Sequence, residues 1–248
     1  MQIDVFFGVS GLAPADLQGR AVAVIDVLRA STTIATALDN GARAVIPFES
    51  SEEAVTRAKT LDRSDVRLAG ERKMLPIPGF DLGNSPAEFT RGAVEGKTVL
   101  MSTTNGTRAL TAVQGARDVI VASYVNFSAA LALLRSALRG GADVALICAG
   151  RDRQFALEDA ACAGLFIQHI TTKHTKAEIN DAALSAMLVD KKFGTNYKRL
   201  LRTATHGAAL IEAGFERDIE VCADLDAYPV VPVYQDRQIT KVGPERER

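Results

Sequence analysis

The chain has 248 residues and a mass of 26.4 kDa, a length that suits one or two domains at roughly 150 residues each. Its 47% hydrophobic and 24% charged residues exclude collagen-like, low-complexity and wholly disordered classes. Twenty-nine basic and thirty acidic side chains leave a formal charge of -1, which removes the global attraction that non-specific nucleic-acid binding needs.

No basic segment precedes the apolar amino-terminal stretch, and no apolar run approaches the length of a membrane span. Neither nucleic acid nor membrane is an expected partner, and the expected location is the cytoplasm. Cys148, Cys162 and Cys222 are odd in number and widely spaced, which fits a reducing compartment better than a disulfide framework or a Cys-rich zinc site.

Short β-branched runs recur, each followed by a polar turn and a helical pattern, so the predicted class is α/β with a largely parallel sheet flanked by helices. The first run covers 21–28; a helix capped by Ser31 or Thr32 follows and ends near Asn40-Gly41. A second run at 44–48 leads to a helix at 51–61 with acids in its first turn. After a run at 66–69, residues 70–86 carry three prolines and three glycines, a composition that excludes a helix or central strand and predicts a long functional loop. Runs at 98–101, 119–122 and 144–147 each empty into a polar turn before a helix. Beyond about 172 the pattern predicts helices at 176–189, 197–204 and 206–212, strands or edge elements at 219–221 and 230–234, and a solvated charged tail at 243–248. Parallel strands present their carboxyl ends on one sheet edge, where polar residues from separate turns can meet.

Three turns carry chemistry. In VIDVLRASTT, Asp26 offers a carboxylate to magnesium, Arg29 a fork for phosphate or carboxylate, and Ser31, Thr32 and Thr33 hydroxyls at a helix start. The alternative at this point is that Asp26 and Arg29 pair and Ser31 caps. In STTNGTR, hydroxyl residues surround Asn105-Gly106, where Gly permits close backbone approach and successive amides can cradle an anion; an ordinary Asn-Gly turn is the alternative. In CAGRDRQFALED, Arg151, Asp152 and Arg153 fill the turn and Glu158-Asp159 open the next helix, so arginines can meet a doubly charged substrate while a carboxylate serves as metal ligand or proton acceptor. A cysteine phosphatase loop would need Arg where Gln154 stands, so Cys148 reads as a packing thiol.

In the long loop, Glu71 is the preferred oxygen ligand for Mg²⁺, with pairing to Arg72 or Lys73 as the alternative; Asn84-Ser85 before Pro86 either face a ligand or cap a helix. His169, His174 and His206 form no HExxH or close ligand cluster and read as structural, although His206 can approach the site.

DVLRASTT, GER followed by PGFDLGNSP, STTNGTRAL, CAGRDRQFALEDAACAG and the later HGAALIEAGFERDIEVCADLD together resemble the 2-phosphosulfolactate phosphatase family, from about Asp26 to the segment at 230–234. The resemblance implies a Mg²⁺-dependent phosphatase that converts 2-phosphosulfolactate, or a related 2-hydroxy-acid phosphate, to the free acid and phosphate, a step toward coenzyme M. It also implies two associated α/β lobes, placed here at 1–125 and 126–248. On this basis Asp26, Glu71 and Asp159 place the metal. Arg29, Thr103, Asn105, Gly106 and Thr107 hold the phosphoryl group with Ser31, Thr32, Asn84 and Ser85 nearby, and Arg151 faces the carboxylate or sulfonate. Water attack and a transient aspartyl phosphate at Asp26 both remain open. A non-catalytic phosphate or nucleotide sensor is the rival function, and a homodimer is an open alternative to a monomer.

Overall fold

The computed structural model describes residues 1–113, 115–173 and 176–242; His174 and the charged tail at 243–248 lie outside the described residues. The chain opens with β1 (Gln2–Phe6) and β2 (Ala21–Ile25), then α1 (Ala30–Asp39), β3 (Ala44–Pro47) and α2 (Ser51–Ala58). The sequence AVAVI of β2 is buried throughout, as β-branched and small residues allow when both faces of a strand are covered. Its alternation divides the interior: Ala21, Ala23 and Ile25 enter one core, Val22 and Val24 the other. Helix α1 ends at Asp39 with Asn40 as its cap, and Gly41 takes the left-handed turn with φ of 91°. Helix α2 begins where the Ser50 side chain accepts from the Glu53 amide, with Glu52 and Glu53 in the first turn.

Strand β4 (Val66–Arg72) runs further than the sequence pattern suggests, because β5 (Leu75–Pro76) folds back on its end. Lys73 and Met74, with φ of 49° and 72°, form the two-residue turn between them. Gly70 has no room for a side chain: a Cβ there would lie 2.1 Å from the Ser102 carbonyl oxygen. Next come α3 (Arg91–Val94), β6 (Thr98–Ser102), α4 (Gly106–Ala112), β7 (Asp118–Ala122), α5 (Phe127–Arg139), β8 (Val144–Cys148) and α6 (Leu157–Lys173).

The last part contains β9 (Glu178–Ile179), α7 (Asp181–Phe193), α8 (Tyr197–Thr203), α9 (Thr205–Glu212), α10 (Glu216–Cys222), β10 (Pro232–Gln235) and β11 (Gln238–Lys241). Residues 219–221, expected as a strand or edge element, lie inside α10. Asp218, Ile219 and Cys222 are its buried side chains, a spacing that fits one helical face and not the alternation of a strand.

The described strands form one sheet in the order β5-β4-β6-β3-β11-β10-β7-β2-β8-β1-β9. Two parallel blocks, β4-β6-β3 and β7-β2-β8-β1-β9, are joined by the antiparallel β10–β11 hairpin. The hydrogen bonding does not break at residue 125, because β2 pairs with both β7 and β8, which lie on either side of it in sequence. The α/β class holds; two separate lobes do not appear in the sheet.

One core packs residues of both blocks around α1 and α4, including Val24, Val45, Ala69, Met101, Ile34 and Ala109. Although five strands separate β2 from β4 in the sheet order, their carboxyl ends therefore reach the same place, beside the starts of α1 and α4. No helix among the described residues is long and apolar enough to cross a membrane.

Candidate active site

A cavity of about 540 Å³ lies at these carboxyl ends. The turn after β2 contributes Asp26, Leu28 and Arg29; the β4–β5 hairpin contributes Glu71, Arg72, Lys73 and Met74. Asn84 comes from the long loop, Thr103, Thr104 and Asn105 from the turn after β6, Arg151 and Asp152 from the turn after β8, and His206 from α9. Of the residues expected at the site, Asp26, Arg29, Glu71, Asn84, Thr103, Asn105 and Arg151 line this one space.

Asp26 is 5% exposed, and its Oδ1 accepts the Ala30 amide at 3.2 Å at the start of α1. Burial, opposed by His206 and the Ala30 amide and reinforced by the charges of Glu71 and Glu158, pushes its carboxyl up to about 6. The segment bearing Gly106 passes so close that a Cβ there would lie 2.8 Å from Asp26 Oδ2 and 2.5 Å from the Ala30 Cβ. Gly106 thus matters for backbone approach, as expected, although it does not itself line the cavity.

Glu71 sits at the end of β4 and ties two turns together. Its Oε2 accepts the Met74 amide at 2.9 Å and its Oε1 accepts the Thr104 amide at 2.7 Å. Neither Arg72 nor Lys73 takes it as an ion-pair partner; the Arg72 guanidinium donates to the Ser102 hydroxyl at 2.8 Å and the Glu71 carbonyl at 2.8 Å.

Arg29 does not pair with Asp26. One terminal nitrogen donates to Asp218 Oδ2 at 2.8 Å and the other to the Met74 carbonyl at 2.9 Å, while the Phe215 ring lies 4.5 Å from the guanidinium carbon. Ser85 donates to the other oxygen of Asp218 at 2.6 Å, which leaves it a brace within this node. Ser31 takes the Asp26 amide on its hydroxyl at 2.9 Å, and Thr32 bonds the Val27 carbonyl and Ser123. Both hydroxyls hold the turn and lie off the cavity lining. Thr107, also off it, bonds the Thr103 carbonyl and borders a smaller adjoining cavity of about 210 Å³.

Asp159 likewise lies off the cavity lining. Its oxygens accept the Val27 amide at 2.9 Å and the Gly150 amide at 3.0 Å, so it fastens the β2 turn to the β8 turn. Burial, then the charges of Glu158 and Asp26, push its pKa well above the usual carboxylate range. Among the described residues no three His, Cys, Asp or Glu side chains form a group set to hold a metal ion.

Two polar atoms on the cavity wall, Asn84 Oδ1 and Thr104 Oγ1, are buried with no hydrogen-bond partner among the described residues. Such atoms are costly to bury unless something completes them. Cys148 is fully buried and its thiol is pushed well up by burial, consistent with packing. Sequence reasoning put a structural role first for His206, with approach to the site as the alternative; it lines the cavity with Nδ1 at 3.3 Å from the buried Glu158 carboxylate. Sequence reasoning missed Asp218, which anchors Arg29 from a distant helix. It also treated Arg72 and Lys73 only as partners for Glu71, although both line the cavity.

An α/β sheet with acids, cations and unsatisfied polar atoms meeting at its strand ends defines an enzyme that handles a small anionic ligand. The chain matches the family model described as 2-phosphosulpholactate phosphatase over residues 9–237. It is 41% identical over 224 residues to the probable 2-phosphosulfolactate phosphatase of Symbiobacterium thermophilum, covering 90% of this chain and 95% of that one. The protein of the same name from Clostridium beijerinckii is 37% identical over 240 residues, covering 97% and 99% of the two chains. That from Carboxydothermus hydrogenoformans is 41% identical over 232 residues, covering 94% and 92%. The chain belongs to the 2-phosphosulfolactate phosphatase family and, as such, to the phosphoric monoester hydrolases.

Proposed function

We propose that this phosphatase hydrolyses 2-phosphosulfolactate, or a closely related 2-hydroxy-acid phosphate, with Mg²⁺ as cofactor, in the cytoplasm and as a step toward coenzyme M. The observation that carries the reading is the convergence on one cavity of the buried acids Asp26 and Glu71 with Arg72, Lys73, Arg151 and the unsatisfied Asn84 and Thr104. A substrate bearing phosphate, carboxylate and sulfonate needs several cations and polar atoms, and this wall supplies them.

Mg²⁺ commonly takes one or two protein carboxylates together with waters and phosphate oxygens. Asp26 and Glu71 fit that requirement: they are the buried acids on the wall, and repulsion from Glu71 helps keep the Asp26 carboxyl raised. Asp159 does not fit it, since it lies off the cavity lining, with its oxygens turned to the Val27 and Gly150 amides; Glu71 also accepts two amides but stands on the wall. When bound, the ion supplies charge neutralisation and polarisation of the phosphorus-oxygen bonds.

The protein's own groups do the rest. Thr103, Thr104 and Asn105 offer hydroxyl and amide contacts to the phosphoryl oxygens, and Asn84 shares the wall with them. Arg151, partly exposed and bound only loosely to Asp152 at 3.7 Å, is placed to meet the carboxylate or sulfonate. Arg29 keeps both terminal nitrogens engaged, with its charge met by Asp218, and so holds the Met74 carbonyl in the cavity wall.

Phosphate release from 2-phosphosulfolactate, phospholactate and phosphoglycerate, measured with Mg²⁺ and with chelator, tests the reading. Metal-dependent release fastest on 2-phosphosulfolactate is expected. Binding of inorganic phosphate without hydrolysis of any ester would replace the enzyme with an anion sensor. Turnover of an isotopically chiral phosphorothioate ester in oxygen-labelled water separates the chemical routes: net retention at phosphorus marks two displacements through an aspartyl phosphate at Asp26, and inversion marks direct attack by water.

A further inference from the structure

We propose that His206 is a catalytic residue of this enzyme, the proton donor to the leaving alkoxide oxygen, with the buried Glu158 as the positioning residue behind it. The proposal rests on the reading that the cavity hydrolyses a phosphate ester.

His206 is the second residue of α9 and forms part of the cavity wall, with its side chain 13% exposed. Its Nδ1 lies 3.3 Å from Glu158 Oε1. Glu158 stands in the first turn of α6, almost fully buried. A carboxylate in that position fixes both the tautomer and the ring orientation of the histidine it faces. With Nδ1 turned to Glu158, Nε2 is the ring nitrogen left for the cavity. Glu158 from α6 faces the imidazole, and the charged groups that share the cavity wall with it are Asp26 from the β2 turn, Glu71, Arg72 and Lys73 from the β4–β5 hairpin, and Arg29, Arg151 and Asp152.

The chemistry needs such a group. An alkyl phosphate must expel an alkoxide, a strong base, and a positioned acid lowers that barrier. As the oxygen of water bonds to phosphorus, the ester P–O bond breaks and its electron pair stays on the ester oxygen. That oxygen takes the proton from His206 Nε2. The proton lost by the attacking water returns to the imidazole, so the sum is ester plus water giving alcohol plus inorganic phosphate. None of the other cavity groups combines a ring nitrogen donor with a buried carboxylate held behind it.

The test compares an alkyl ester, phospholactate, with an aryl ester, p-nitrophenyl phosphate, whose phenolate leaves without protonation. H206N and H206Q both retain a donor for Glu158, and thermal melting identifies the variant that keeps the fold. The expected result is a kcat loss of about 10²–10⁴-fold on the alkyl ester against less than about tenfold on the aryl ester. E158Q is expected to lower kcat on the alkyl ester by about tenfold, with KM unchanged and the aryl ester again spared. Equal losses on the two esters in a folded His206 variant, or wild-type turnover of the alkyl ester, would overturn the role of His206 and leave the phosphatase reading standing. A wild-type protein inactive on both esters and on 2-phosphosulfolactate would overturn that reading and this one together.

Discussion

The β2 and β8 turns lie side by side at the sheet edge and use their acids in opposite ways. In the β2 turn, Asp26 faces the cavity, where neighbouring acids and burial hold its carboxyl up at about 6. After the β8 turn, in the first turn of α6, Asp159 spends both oxygens on backbone amides from the two turns, while its neighbour Glu158 backs His206. Burial is nearly the same for the two aspartates, at 5% and 2% exposure. What separates a group that can meet a ligand from one that only holds the scaffold is its place on the cavity wall: Glu71 accepts two backbone amides, as Asp159 does, yet lines the cavity.

Substitutions can break that contrast. D26N and E71Q are expected to lower kcat at least about 10³-fold, near 4 kcal/mol of barrier, while phosphate-release assays on D159A retain activity to within about tenfold. An Asp159 variant as inactive as D26N would place Asp159 in the chemistry after all. Next in size, R29M strands Asp218, buried with it, and is expected to destabilise the fold by about 3–5 kcal/mol in denaturant titration. A loss below about 1 kcal/mol would remove the node that holds Met74 and Ser85.

The pH dependence of stability sharpens the comparison without any substrate. The folded-state pKa of Asp26 is raised, so its contribution is fully present below the ordinary value of 3.8 and is lost as pH rises through about 6. In chelator, D26N should therefore gain on the wild type between pH 4 and pH 8, by up to about 3 kcal/mol at 1.36 kcal/mol per pKa unit. Melting curves for the two proteins that keep a constant separation across that range would contradict the raised carboxyl. The smallest effect is steric. G106A drives a Cβ into Ala30 and Asp26 and should cost about 1–3 kcal/mol, whereas G92A, with nothing within 4 Å of its new Cβ, should be neutral or slightly stabilising.

The strands β2, β3, β6, β7 and β8 were legible because each is a short apolar run bounded by turn residues, and the helix ends at Ser50 and Gly41 follow local rules. Residues 219–221 misled because three residues cannot distinguish an alternating strand from one turn of a helix. Strand β1 was not read as a strand at all; it pairs with β8 across the whole domain, information no local pattern carries. At the site, Asp26, Glu71 and the Thr103–Asn105 turn stood out because polar residues after buried strands are few and conspicuous. Asp218 was invisible for the opposite reason: its partner Arg29 is 189 positions away, and an acid in a helix looks like any solvated acid. His206 carried a weak signal, a lone histidine at a helix start, and only the fold shows that Glu158 stands behind it. Asp159 lies off the cavity, which no local pattern could show, because an acid in the first turn of a helix looks the same in sequence whether it faces a cavity or two amides.

Phosphate release from 2-phosphosulfolactate, followed while Mg²⁺ is titrated into chelator-treated protein, tests the convergence of Asp26 and Glu71 most directly. Wild-type turnover should rise from baseline to saturation, and E71Q should need at least about tenfold more Mg²⁺ to reach half of its own maximum. Full turnover of the chelator-treated wild type, or an E71Q curve superimposed on that of the wild type, would contradict the account.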